Sequence, residues 1–145
     1  MNIGFPNKAK YCMDQAKAEQ VQGWFIKAGH DLASARKLAD GDNPILDTAI
    51  YHCQQAVEKA LKGYLVHCDQ PFEKTHDLEV LVKHAIPYQP GLGAWLETAL
   101  ELTPYATLYR YPGVEGGPDK DEFEEAYKQA KAFHDFVLCL LPALK

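Results

Sequence analysis

Apolar residues recur every three or four positions along most of this chain, which is the period of an α-helix with one buried face. Such a stretch begins at Glu19, another runs from Pro44 to about Cys68, and the last begins near Asp121. Pro44 suits the first turn of a helix, because the N–H group that proline lacks would have no partner there. No segment alternates between apolar and polar residues, so the pattern predicts no sheet.

Two shorter helices are predicted between the second long helix and the last. Thr75 is expected to cap a short third helix that carries His76 and Asp77. A fourth helix is predicted from about Leu92 to Arg110, with Pro104 kinking it or breaking it in two. A segment rich in glycine and proline, residues 112–121, then leads to the last helix.

Together these elements predict an all-α protein, an up-and-down antiparallel bundle of about five helices. The length of 145 residues fits one domain. Residues 1–18 are polar and irregular, and we expect an N-terminal extension there, either a tail or a short helix. Residues 19–145 are predicted to form the bundle.

Charge and composition narrow the classes of function. The net charge of −5 excludes a general nucleic-acid binder, so phosphate binding would need a local cationic cluster. No apolar run approaches the ~20 residues of a membrane span, and the N-terminus has no apolar signal-peptide core. The four cysteines are scattered and are predicted to be small buried residues of a reducing compartment. We expect a cytoplasmic protein with no metal site and no cofactor.

The second predicted helix carries a stripe of polar side chains: His52, Gln55, Lys59 and Lys62. Two cations, an imidazole and an amide can hold an anionic ligand, but the same stripe is typical of a solvated helix face. Glu58 lies beside the stripe, at the spacing that allows an ion pair with Lys62.

Two other places carry polar groups that a helical bundle does not need. His76 and Asp77 lie where free backbone N–H groups at a helix start favour negative charge. Arg110 and Tyr111 end the fourth helix near Tyr105, where a guanidinium can bind a phosphate while a ring stacks on a base. A helix cap, the helix dipole or ordinary aromatic packing explains each of these residues equally well.

Asp31 lies at the edge of the apolar face of the first helix. A carboxylate so close to a core needs a partner, because an unpaired buried charge is very costly. Lys59, Lys62 or Arg110 are the candidate partners. A structural salt bridge and a catalytic base are both open at this point.

Four segments taken together resemble the HEPN domain: Ala28–Leu38, Ala49–Val66, Thr75–Val82 and Thr107–Gly113, which reads TLYRYPG. The resemblance covers about Gln20 to Leu141. It implies an all-α bundle, often dimeric and linked to nucleotide binding. Prokaryotic members are commonly paired with minimal nucleotidyltransferases, and many others are metal-independent ribonucleases that act as toxins.

The chain departs from the ribonuclease members of the family. Those enzymes carry an arginine followed, after four to six residues, by a histidine, and here the positions after Arg110 hold Glu115, Gly116 and Gly117. The RYP sequence resembles the nucleotidyltransferase-associated branch. The resemblance therefore implies no catalytic residue, and a ligand-binding role for His52, Gln55, Lys59, Lys62, His76, Asp77, Arg110 and Tyr111. The leading hypothesis adds Tyr105, which can stack on a base, and Asp31, which can orient the cations.

The leading hypothesis is an accessory module that binds a nucleotide or an RNA phosphate and acts with a minimal nucleotidyltransferase, in a pair like those of toxin–antitoxin systems. A homodimer with composite sites is expected. One alternative is a metal-independent ribonuclease toxin with a non-standard site, such as Arg110 with His52 or His76. Another is a dimerising protein-interaction scaffold.

Overall fold

The described part of the chain folds into five α-helices, as the pattern predicts. The structure is a computed structural model that describes residues 8–113 and 116–141, with side chains from Asp14 onward. The helices are α1 (Lys8–Ala39), α2 (Leu46–His67), α3 (Leu78–Ala85), α4 (Leu96–Leu102) and α5 (Lys120–Cys139). The described residues contain no strand, so the prediction of an all-α bundle is confirmed.

The first helix begins earlier than predicted. It starts at Lys8 rather than Glu19, so it crosses the proposed boundary between residues 1–18 and the bundle. Lys17 anchors this early part, because its ammonium lies 3.3 Å from the carboxylate of Asp69, just beyond the end of α2. The division into residues 1–18 and 19–145 stays a prediction, and residues 1–7 lie outside the described part.

The helix α2 is the centre of the bundle, and most of it is buried. It begins at Leu46, so the prediction that Pro44 occupies its first turn is wrong. The N–H group of Ile45 donates to the carbonyl of Leu38 at 2.7 Å, and this bond closes the turn from α1. Ile45 is therefore held outside helical geometry, with φ −114° and ψ 81°.

Contacts at the helix ends give the directions of the long helices. Lys17 near the start of α1 meets the end of α2, and Leu38 near the end of α1 meets its start. Arg36 of α1 pairs with Glu124 in the first part of α5, at 2.8 Å. Thus α1 is antiparallel to both α2 and α5, and the shorter elements make the return between those two.

The predicted fourth helix is broken, as Pro104 suggests. A 3₁₀ turn at Pro90–Trp95 leads into α4, and a second 3₁₀ turn, Thr103–Ala106, follows it. Thr103 joins this break to α3, because its hydroxyl donates to the carbonyl of Ala99 at 2.7 Å and accepts from the N–H of Leu78 at 3.0 Å. Arg110 lies in a turn beyond Ala106, so the prediction that it ends a helix is wrong.

The cysteine prediction holds for one residue and fails for another. Cys53 is fully buried in α2, and burial raises the pKa of its thiol to about 12. Cys139, the last residue of α5, is exposed. No helix among the described residues has a stretch long and apolar enough to cross a bilayer.

Close approach of α1 and α2 depends on Gly63. A Cβ atom at this position would lie 2.9 Å from the Cβ of Trp24 and 3.0 Å from the ring of Phe25. Because packed cores tolerate little added volume, the backbone of α2 can lie this close to α1 only where a residue lacks a side chain.

We expect Gly63→Ala to lower the free energy of unfolding by about 1–3 kcal/mol, because it forces the two helices apart. Gly23→Ala is the matched control, since a Cβ there meets nothing within 4 Å. That control should raise stability by up to about 1 kcal/mol through helix propensity. Urea unfolding followed by circular dichroism measures both, and equal effects of the two substitutions would contradict this account of the packing.

Candidate functional site

Two buried carboxylates organise the polar side of α2. Asp31 on α1 is 6% exposed and Glu58 on α2 is 4% exposed. Ionised carboxylates at such depth require partners, because desolvation of an unpaired charge is costly. Each of the two has a lysine and a histidine as partners.

Asp31 joins α1 to α2. One of its oxygens accepts from Nδ1 of His52 at 2.7 Å, and the other accepts from Nζ of Lys59 at 2.6 Å. His52 and Lys59 are seven residues apart on α2, so they lie two turns apart on the same face. Of the candidate partners for Asp31, the structure selects Lys59, and it adds His52.

Glu58 joins α2 to the segment that precedes α3. Its carboxylate lies 3.2 Å from Nζ of Lys62 and accepts from Nδ1 of His76 at 2.7 Å. The amides of Gln54 and Gln55 also point at it, at 3.4 and 3.3 Å. The sequence analysis placed Glu58 only beside the stripe. Its spacing of four residues from Lys62 was the signal that could have identified it as the centre of these ion pairs.

Two of the four residues of the polar stripe on α2 are buried, so the alternative interpretation of the stripe as a solvated helix face is wrong for these two. Lys62 is 8% exposed and Gln55 is also buried, while His52 and Lys59 remain partly exposed. The segment before α3 contributes to this burial, because the Lys62 ammonium lies 5.6 Å from the centre of the Phe72 ring. Lys62 is thus poorly placed for direct contact with a ligand or with a partner protein.

The turn before α3 differs from the prediction in its cap. Asp77 is the N-cap, because its carboxylate accepts from the N–H groups of Glu79 and Val80 at 3.0 and 3.4 Å. Thr75 lies two residues before this cap, and its hydroxyl accepts from the N–H of Asp77 at 3.0 Å. The predictions that Thr75 is the cap and that His76 and Asp77 lie inside the helix are wrong, because α3 begins at Leu78.

Arg110 is held by aromatic rings. Its guanidinium carbon lies 4.2 Å from the ring centre of Tyr51 and 5.7 Å from that of Tyr111. One of its N–H groups donates to the carbonyl of Ala106 at 3.3 Å. In the part of the chain that the structure describes, Arg110 forms no ion pair, so its charge is not neutralised there.

Tyr51 links Arg110 to the rest of the site. Its ring centre lies 5.6 Å from that of His52, the next residue on α2. Arg110 and the Asp31–His52–Lys59 cluster therefore both lie near one tyrosine ring. Sequence reasoning placed Tyr51 only at the border of the stripe, and cation–π contact with an arginine from a distant turn has no local sequence signal.

Tyr105 has a partner on α5. Its hydroxyl donates to Glu122 at 2.9 Å, and that of Tyr109 donates to the same carboxylate at 3.1 Å. Burial and the neighbouring carboxylate raise the pKa of both phenols, so both stay protonated donors. The role of Tyr105 as a stacking platform stays a prediction.

A cleft of about 370 Å³ lies beside Arg110. Its lining includes Asp47 at the start of α2, the segment Tyr109–Pro112 and two glycines, Gly116 and Gly117. Tyr111 is 64% exposed at its edge. Among the described residues, no three His, Cys, Asp or Glu side chains come together in a way that could hold a metal ion.

Comparison with protein-family models gives a match to the HEPN domain over residues 21–140. The chain belongs to the HEPN domain family. Neither the comparison with curated proteins nor that with solved structures gives a match. HEPN domains commonly bind RNA and dimerise, so membership supports a function related to nucleotides or RNA.

We expect Glu58→Gln to lower the free energy of unfolding by about 3 kcal/mol, because it leaves the Lys62 ammonium buried without a counter-charge. The matched control is Glu79→Gln, which removes the carboxylate from a much more exposed pair with Lys83 on α3. That control should cost less than about 1 kcal/mol. Chemical denaturation distinguishes the two, and a Glu58→Gln protein as stable as the control would contradict the role of Glu58 as an ion-pair centre.

Proposed function

We propose that this HEPN protein is an accessory module that binds a nucleotide or an RNA phosphate and acts with a minimal nucleotidyltransferase. The observation that carries the proposal is that the positive charge of Arg110 is not paired with a carboxylate among the described residues. Its guanidinium rests on Tyr51 beside an open cleft and has no acidic partner among the described residues. Lys59, Lys62, His52 and His76 each already contact a buried carboxylate.

In this proposal Arg110 binds the phosphate, because a guanidinium presents paired N–H donors that match phosphate oxygens. Tyr111, exposed beside it, stacks on a base. The partly exposed His52 and Lys59 and the exposed His76, which lie outside the lining of the cleft, supply further hydrogen bonds to the ligand. Gln55 and Lys62 lie behind them and hold Glu58, while Asp31 orients Lys59 and His52, and Asp77 fixes the turn that carries His76.

A single uncompensated arginine suits the overall charge of the chain. At a net charge of −5 the protein repels polyanions. At ordinary salt this repulsion acts only within a Debye length of about 10 Å. Binding must then come from contacts inside the cleft, which favours recognition of one or a few nucleotides over a long duplex.

The proposal also includes the nucleotidyltransferase partner and a homodimer of this protein. The RYP sequence at Arg110–Pro112 favours the nucleotidyltransferase-associated branch of the family, and a homodimer would bring two such clefts together. A small nucleotidyltransferase encoded beside this gene would support the pairing, which would resemble a toxin–antitoxin pair.

We expect Arg110→Ala to weaken binding of ATP, GTP or a short RNA at least tenfold, because a charge-assisted hydrogen bond contributes about 1.5–3 kcal/mol. Lys128→Ala on α5 removes one positive charge from an exposed residue outside the cleft and serves as the control. Isothermal titration measures each affinity, and unchanged affinity in Arg110→Ala would reject the proposal.

Lys59→Ala should weaken binding too, with some loss of stability, because Asp31 loses one of its two partners.

A second candidate function, RNA cleavage without a metal, is favoured by the two histidines. His52 and His76 each use Nδ1 to bind a buried carboxylate at 2.7 Å, so Nε2 is the nitrogen left for a substrate. One such imidazole can take the proton of a 2′-hydroxyl while the other donates a proton to the leaving 5′-oxygen. Arg110 would stabilise the charge that develops on the phosphate.

If this candidate is correct, the protein cleaves total RNA with EDTA present, and His52→Ala lowers the rate by about 10²–10⁴-fold, the usual loss for an acid–base catalyst. His84→Ala, at an exposed position of α3, is the control and should keep the rate. No cleavage by the unaltered protein, at concentrations where a known HEPN nuclease is active, would reject this candidate and leave the binding function in place.

A further inference from the structure

Asp47 and Arg110 line the same cleft without forming an ion pair. Asp47 lies in the first turn of α2 and is exposed. One of its oxygens accepts from the backbone N–H of Thr48 at 2.6 Å and from the hydroxyl of Thr48 at 3.2 Å. Its other oxygen has no hydrogen-bond partner among the described residues.

This arrangement restricts the ligands that fit the cleft. A bare phosphate would bind Arg110 but would be repelled by Asp47. An ionised carboxylate only accepts hydrogen bonds, so it requires a donor. A ligand that carries a hydroxyl group next to its phosphate satisfies both side chains at once.

Ribose attached to a phosphate has this combination of groups. Carboxylates accept hydrogen bonds from ribose hydroxyls in other nucleotide sites, and the 2′-hydroxyl is the group that distinguishes RNA from DNA. The cleft volume of about 370 Å³ is at the lower end of small-molecule sites, so it suits a single nucleotide unit.

We propose that Asp47 accepts a hydrogen bond from the 2′-hydroxyl of the nucleotide whose phosphate Arg110 binds, so that the cleft selects ribose over deoxyribose. This inference rests on the proposed binding function and adds a specificity-determining residue to it. Two hydrogen bonds from Thr48 hold one oxygen of Asp47 in place, so this cleft-lining carboxylate loses little further freedom when its other oxygen binds a ligand.

The test compares three labelled single strands of the same base sequence: RNA, DNA and 2′-O-methyl RNA. Fluorescence anisotropy should show that the unaltered protein binds the RNA about tenfold more tightly than the other two, because only the RNA retains the donor. In Asp47→Ala the three affinities should become equal. Asp42→Ala removes the same charge from an exposed turn residue that is not among those lining the cleft, and it should keep the preference.

Each other outcome overturns the inference in a recognisable way. Equal binding of the three strands by the unaltered protein rejects ribose selection while the binding function stands. A preference that persists in Asp47→Ala assigns the selection to another residue. Absence of binding to any strand, together with no heat from ATP or GTP, rejects the binding function and this inference with it.

Discussion

The pairing of two buried carboxylates with cations is the constraint on which the rest of the site depends. Buried Asp31 requires Lys59 and His52 as partners, and buried Glu58 requires Lys62 and His76. These pairs join α1 to α2 and α2 to the segment before α3. The polar contacts that position the candidate ligand groups therefore also fix the packing of these elements.

This charge balance changes which residues are available to a ligand. Four cationic or titratable side chains that suggested a phosphate site are already used by the fold. Arg110 is different because a tyrosine ring holds it, and a ring attracts a cation without cancelling its charge. The aromatic contact positions the guanidinium and leaves its charge to act on a ligand.

The sequence predicted the helices well where a buried face repeats over several turns, as in α2 and α5. It failed where non-local contacts decide: Ile45 lies outside α2 because its N–H group bonds to Leu38 in the preceding helix. The burial of Glu58 was unpredictable for the same reason, since it depends on how the segment around Phe72 and His76 folds back over α2. The sequence was sufficient to recognise the polar residue types of the site. Only the three-dimensional contacts show which of these residues pair with each other inside the protein and which are left to bind a ligand.

The two candidate functions, phosphate binding and RNA cleavage, both involve residues that lie around Tyr51. The centre of its ring lies 4.2 Å from the guanidinium carbon of Arg110 and 5.6 Å from the centre of the His52 ring, so under the proposed function a strand whose phosphate binds Arg110 would have His52 nearby. Asp31 fixes the orientation of that imidazole whether or not it transfers a proton. If Arg110 binds a phosphate as we propose, the Asp31–His52 pair can contribute to recognition, whereas cleavage also requires that Nε2 of His52 reach the 2′-hydroxyl that we assign to Asp47. Asp47 and His52 would then compete for the same hydroxyl group, and a cleft in which Asp47 holds it favours retention of RNA over its cleavage.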